Sequence, residues 1–146
     1  MMNELQKKAY IFATIFTLSN RLQTLGDEFD KNFTTKQWLF IVAVSRFKEP
    51  PTITEVANFI GYSRQNAKRI AADLEKAGHI MLQKDENDAR ALRITINPQC
   101  MEYFKKRDKR EIEFLEQVFE GFDEELTNNV YEGIVKLEQN VKAMGS

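Results

Sequence analysis

From Ser63 to Arg69 the chain reads Ser-Arg-Gln-Asn-Ala-Lys-Arg, with three cations, two amides, a hydroxyl and no acid. Arginine and lysine bond phosphate oxygens and guanine edges, and glutamine or asparagine pairs with the adenine edge. This is chemistry for reading double-stranded DNA, provided the side chains stand on one face of a helix that enters the major groove. At about 100° per residue, Gln65, Lys68, Arg69, Ala72 and Lys76 share one face, and Ala67, Ile70, Ala71, Leu74 and Ala77 form the opposite, apolar one. Ser63 stands as N-cap and Gly78 as stop, and the helix start at Ser63 can also receive a phosphate. A second polar set follows at Lys84, Asp88, Arg90 and Arg93, where long cations could reach the DNA backbone or a groove.

The elements that must position these residues are legible from periodicity. Leu5, Ala9, Phe12, Phe16, Leu22 and Leu25 recur at helical steps, so the first 25 residues read as one long helix ended by Gly26. Ile11 and Leu18 add a second stripe, which implies two partners. Thr34-x-x-Gln37 and Thr52-x-x-Glu55 are capping boxes that open a second and a third helix. The second ends near Phe47, before Pro50-Pro51, and the third is short and stops at Gly61. Ala57 is small where two helices must cross, and Val56, Ile60, Tyr62, Ala67 and Ile70 are apolar where the pair would bury its inner faces.

The period then falls to two. His79–Gln83 and Leu92–Ile96 alternate around the polar stretch Lys84–Ala91, which reads as a hairpin with a long charged tip. Asn97-Pro98 starts a fifth helix with Met101, Phe104, Ile112, Leu115, Phe119 and Phe122. After Gly121 and Asp123, a sixth carries Leu126, Val130, Ile134, Leu137, Val141 and Met144, a narrow stripe like a coiled-coil seam. The fold class is therefore mainly α with a small β-hairpin wing, a winged helix-turn-helix flanked by long helices.

Charge and composition narrow the function. The net charge of −1 argues against a uniformly basic nucleic-acid binder. However, Gly61–Arg110 holds twelve Lys/Arg against seven Asp/Glu, while Glu111–Glu138 holds nine acids against Lys136 alone. One region attracts polyanions and the other avoids them. An enzyme is not expected, since one His and one Cys give no converging nucleophile, base and orienter. Nor is a zinc site, which wants three or four ligands. Cys100 lies in a first helical turn, where a redox role competes with simple packing; packing is the commoner use. His79, at a strand start, reads as structural or as a phosphate contact. Trp38–Val44 is too short an apolar run to cross a bilayer, and the N-terminal residues show no secretory pattern, so a cytoplasmic protein without a membrane partner is expected.

Glu55-Val56-Ala57, Ser63-Arg64-Gln65-Asn66, Leu74-Glu75-Lys76-x-Gly78 and Asp88-x-Arg90 together resemble the MarR family of transcriptional regulators, and the flanking helices follow its order. The resemblance departs at Ile96-Asn97-Pro98-Gln99-Cys100, where the family often has Leu-Thr-x-x-Gly. It implies a winged helix-turn-helix over 34–97, dimerisation helices over 1–26 and 98–144, and a homodimer that binds a palindromic operator, commonly as a ligand-responsive repressor. It further implies that Arg90 enters the minor groove while Asp88 holds the wing in shape. It also implies an effector site where the dimer region meets the winged helix, with Tyr10, Phe12, Trp38 and Phe40 as the aromatic residues there. No cofactor is implied. A winged helix that binds only protein is the alternative, but it would want an apolar outer face in place of the cationic one at Gln65, Lys68 and Arg69.

Overall fold

A computed structural model describes residues 1–145. The element order is α1 (Glu4–Phe29), α2 (Thr35–Ser45), α3 (Ile53–Ile60), α4 (Arg64–Lys76), β1 (Ile80–Lys84), β2 (Leu92–Ile96), α5 (Pro98–Val118) and α6 (Glu124–Met144). The chain divides into two compact units, one from Met1 to Glu102 and one beginning at Tyr103.

Local chemistry fixes most boundaries in the first unit. Asn3, Thr34 and Thr52 each accept a hydrogen bond from the backbone N–H three residues on, and Gln6, Gln37 and Glu55 return it, which makes three full capping boxes. Ser63 caps α4 by accepting from the Asn66 N–H. Gly61 closes α3 at φ 87°, a left-handed conformation that costs any side chain with a Cβ, and its N–H donates to the Ala57 carbonyl at 2.9 Å.

Gly26 corrects the sequence reading. It does not end α1, which runs on to Phe29. It is small because α2 passes against it: a Cβ there would lie 2.1 Å from Thr35 Oγ1 and 3.3 Å from Thr35 Cβ. Thr35 in turn donates through Oγ1 to the Gln23 carbonyl (3.1 Å) and through its N–H to Asp27 Oδ1 (2.7 Å). The last turn of α1 is thus stitched to the first turn of α2.

The core of this unit is built from Phe33, Phe40, Ile41, Val44, Ile53, Val56, Ala67, Ala71, Leu74, Ile80 and Ile94. Ala57 is buried where α3 and α4 pack, as its size suggested. The inner face of α4 is narrower than the sequence implied: Ala67, Ala71 and Leu74 are buried, Ile70 is half-buried, and Ala77, already the C-cap, is exposed. Strands β1 and β2 pair antiparallel, Ile80 opposite Ile96 and Lys84 opposite Leu92. The hairpin is anchored to the start of α3, because the Ile94 N–H donates to the Pro51 carbonyl at 2.8 Å and Thr52 bridges to Arg93. Asn97 precedes α5 as expected, but its side chain donates to the Gly78 carbonyl (2.7 Å) and so ties the wing's exit to the end of α4.

In the second unit, α5 continues from Tyr103 and α6 follows, capped by Asp123, whose Oδ1 accepts from the Leu126 N–H at 2.8 Å. Neither α1 nor α6 buries a single residue. Leu5, Phe12, Phe16, Leu126, Val130, Ile134, Leu137 and Val141 are all exposed. Among the described residues no helix is long and apolar enough to cross a membrane.

Candidate nucleic-acid interface

Ser63 caps α4, and Arg64 to Arg69 form its first turns. Ser63, Arg64, Gln65, Asn66, Lys68 and Arg69 are all exposed, while Ala67 between them is fully buried. The burial pattern separates a packed face from a polar face, and α4 is thereby held with its cations and amides outward. Its only first-turn charge is the cation Arg64, and Glu75 and Asp73 lie towards the other end.

Arg64, Lys68 and Arg90 line one cleft of about 120 Å³, together with Thr52, Ile53, Thr54, Ala91 and Leu92. Three cations as far apart in sequence as Arg64 and Arg90 therefore share a notch between α4 and the wing. Such a notch concentrates positive potential and suits a polyanion. Lys84 is exposed at the end of β1, on the hairpin but outside this cleft's lining.

The wing tip is folded around carboxylates. Asp88 Oδ1 accepts from the Arg90 N–H (3.0 Å) and pairs with its Nε (3.4 Å). The Arg90 side chain is 93% exposed, so it stands out from the tip. Asp85, which the sequence reading passed over, has a larger part. Its Oδ2 accepts from the N–H groups of Asn87 and Asp88, both at 3.0 Å, and its Oδ1 bonds Arg93 Nε. The Arg93 guanidinium beside it holds the Asp85 carboxyl below the usual carboxylate range. An Asp at the start of a polar turn is an Asx-turn signal that was visible in the sequence, whereas its pairing with Arg93 across the hairpin was not.

Arg93 itself is committed within the protein. Beyond Asp85, its NH1 donates to the Pro50 carbonyl (2.6 Å) and lies 3.8 Å from Glu55. It was expected as a phosphate contact; the geometry ties it to the base of the wing, because three acceptors surround it there.

The other sequence candidates fall elsewhere. Phe40, expected to line an effector site, is fully buried in the core, since α2 presents it inward beside Ile41 and Val44. Trp38 is half-buried, whereas Tyr10 and Phe12 are exposed on α1, with Phe12 packed edge-on against Phe16 at 5.3 Å. His79 stacks on the buried Phe33 ring at 4.4 Å, and burial pushes its pKa down, as suits a structural neutral imidazole. Burial pushes the Cys100 thiol up, away from the reactive thiolate. Among the described residues no group of three or more His, Cys, Asp or Glu could hold a metal ion.

Comparison with known proteins bears out the resemblance read from the sequence. Residues 31–91 match the MarR family, a span from the loop before α2 to the end of the wing tip. The fold is shared with a MarR protein from Peptoclostridium difficile DA00132, at a TM-score of 0.85 and 20% identity, covering 99% of this chain and 94% of that one. It is shared too with a MarR/EmrR family regulator from Acinetobacter sp. ADP1 (TM-score 0.80, 19% identity, 93% and 97% covered). An organohalide-sensing transcriptional regulator solved with 2,4-dichlorophenol bound is also similar (TM-score 0.79, 16% identity, 96% and 86% covered). No curated protein sequence matches the chain.

Proposed function

We propose that this chain, whose winged helix is of the MarR type, is a sequence-specific transcriptional regulator that binds double-stranded DNA as a homodimer. The observation that carries the reading is the cleft at which Arg64, Lys68 and Arg90 meet beside the outward polar face of α4. In this reading α4 enters the major groove, with Gln65, Asn66 and Arg69 at base edges and Ser63, Arg64 and Lys68 on phosphates. Arg90 enters the adjacent minor groove, where a narrow A·T-rich stretch concentrates negative potential. Lys84 adds a phosphate contact, and Asp88 shapes the tip.

Exposure supports the dimer. A monomer would leave the apolar residues of α1 and α6 in water, far more than scattered surface apolar groups. We assign 1–26 and 98–144 to a self-complementary interface and 34–97 to DNA binding. A two-fold dimer reads a palindrome, with its two α4 helices about 34–36 Å apart. The acid-rich stretch Glu111–Glu138 then belongs to the dimer region, which reconciles a pI of 5.9 with a DNA ligand. The working compartment is the cytoplasm, where the DNA is. By analogy with the dichlorophenol-bound regulator, a small aromatic effector releases the operator, which makes the protein a ligand-responsive repressor. Tyr10, Phe12 and Trp38 are the side chains with exposed surface for it.

Fluorescence anisotropy with DNA from upstream of the protein's own gene, across salt, tests the reading. Gln65→Ala or Arg69→Ala should cost about 1–3 kcal/mol on the cognate site and less on random DNA. Equal losses on both would remove these residues from base readout, and absence of any saturable binding would refute the function.

A further inference from the structure

Arg93 and Asp85 form a continuous chain of contacts that runs from the base of the winged helix to its tip. At the base, Arg93 is anchored to the Pro50 carbonyl and to Glu55, the residue that closes the α3 capping box. It passes to Asp85 through Nε. Asp85 holds the N–H groups of Asn87 and Asp88, and its own N–H donates to the Ala91 carbonyl at 3.0 Å, so the tip turn is closed on both sides. Asp88 then holds Arg90 by backbone and side chain. A loop of polar residues with no apolar anchor would otherwise sample many conformations. Here every turn residue between Asp85 and Arg90 except Glu86 and Ala89 is named in that chain.

We propose that Asp85 and Arg93 are positioning residues for Arg90: they fix the wing tip on α3 so that Arg90 is presented to the minor groove at one place. This rests on the assignment of Arg90 above. Two consequences differ from those of a direct contact. Asp85 is an anion in a surface that meets a polyanion, so electrostatics alone says that its removal tightens DNA binding. Positioning says the reverse. Likewise, an Arg93 that neutralised a phosphate would lower the salt dependence by about one unit of slope when lost, whereas an Arg93 engaged with Asp85, Glu55 and Pro50 would not.

The test uses full-length Asp85→Ala, Arg93→Ala, Arg90→Ala and the pairwise doubles. Binding is measured over salt on two operators that differ only in A·T-rich or G·C-rich sequence under the wing. Asp85→Ala and Arg93→Ala are each expected to weaken binding to the A·T-flanked site on the order of tenfold, as Arg90→Ala does, with little loss on the G·C-flanked site. Added to Arg90→Ala, neither should cost anything more. General destabilisation would lower both sites alike and would overturn the proposal, as would unchanged or tighter binding by Asp85→Ala. A lower salt slope for Arg93→Ala with flank preference intact would overturn it in favour of a phosphate contact. If an alanine variant does not fold, Asp85→Asn and Arg93→Lys carry the same comparison. An inert Arg90→Ala would refute the wing assignment as well; a damaging Arg90→Ala beside a harmless Asp85→Ala would refute positioning alone.

Discussion

Replacing Gly26 by alanine sets two magnitudes against each other. Within a helix, Gly→Ala ordinarily stabilises by about 1 kcal/mol, because alanine gives up less backbone entropy. At this position the new methyl would sit 2.1 Å from Thr35 Oγ1 and 3.3 Å from its Cβ. The obstacle is no flexible tip: Oγ1 is one bond from Cβ, and it donates to the Gln23 carbonyl in a part-buried place. Rotating it away costs that hydrogen bond, about 1 kcal/mol, and the strained Thr35 rotamer or small shift of α2 that must accompany it, which also disturbs the Asp27–Thr35 bond, adds about 1–2 kcal/mol, so the penalty is about 2–3 kcal/mol. The penalty exceeds the propensity gain, and Gly26→Ala is expected to lower stability by about 1–2 kcal/mol. At about 2–4 °C per kcal/mol for a chain of this size, the thermal midpoint falls by several degrees at fixed protein concentration. Because α1 is stitched to α2 at this place, DNA affinity should fall with it. The double variant Gly26→Ala/Thr35→Ala removes Oγ1 and should recover much of the loss, with a coupling energy of about 1 kcal/mol in a double-mutant cycle. A Gly26→Ala protein as stable as the parent would refute this account and return Gly26 to the class of ordinary helical glycines.

Leu137→Asp puts a carboxylate in the exposed stripe of α6 and should abolish dimerisation and operator binding together; sedimentation at micromolar concentration reads the first and anisotropy the second. A folded monomer that still bound the operator tightly would contradict the dimer. Cys100, buried with its thiol pKa raised, should resist thiol reagents in the native protein and react on unfolding, as followed by mass spectrometry; rapid native modification that released DNA would make it a redox sensor. His79 has its pKa lowered by burial, so the unfolded chain binds the proton better, and the stability it supports is present above the ordinary value of about 6.5 and lost as pH falls. Urea unfolding at pH 7.5 and 5.5 should show this loss in the parent and a smaller one in His79→Phe.

The sequence by itself determined whatever depends on near neighbours along the chain. Thr34 with Gln37, Thr52 with Glu55 and Ser63 alone each act within one helical turn, so the starts of α2, α3 and α4 could be read residue by residue. The outward set Gln65, Lys68 and Arg69 was legible for the same reason, since a helix converts spacing directly into a face. The change of period from 3.6 to 2 at His79 announced the wing, although alternation sets only the faces and the register, Ile80 opposite Ile96, came with the fold. The tertiary structure decided the rest. Gly26 looked like a helix stop because its reason lies across a turn, in Thr35. Arg93 looked like one more surface cation, because sequence shows its charge but not that Asp85, Glu55 and Pro50 converge on it. Phe40 looked like a neighbour of Trp38 in a ligand site until the packing of α2 turned it fully inward. Helical spacing likewise gave α1 and α6 their apolar stripes but not their partner; the fold of one chain leaves both stripes exposed, because a hydrophobic face is satisfied only by whatever surface finally covers it.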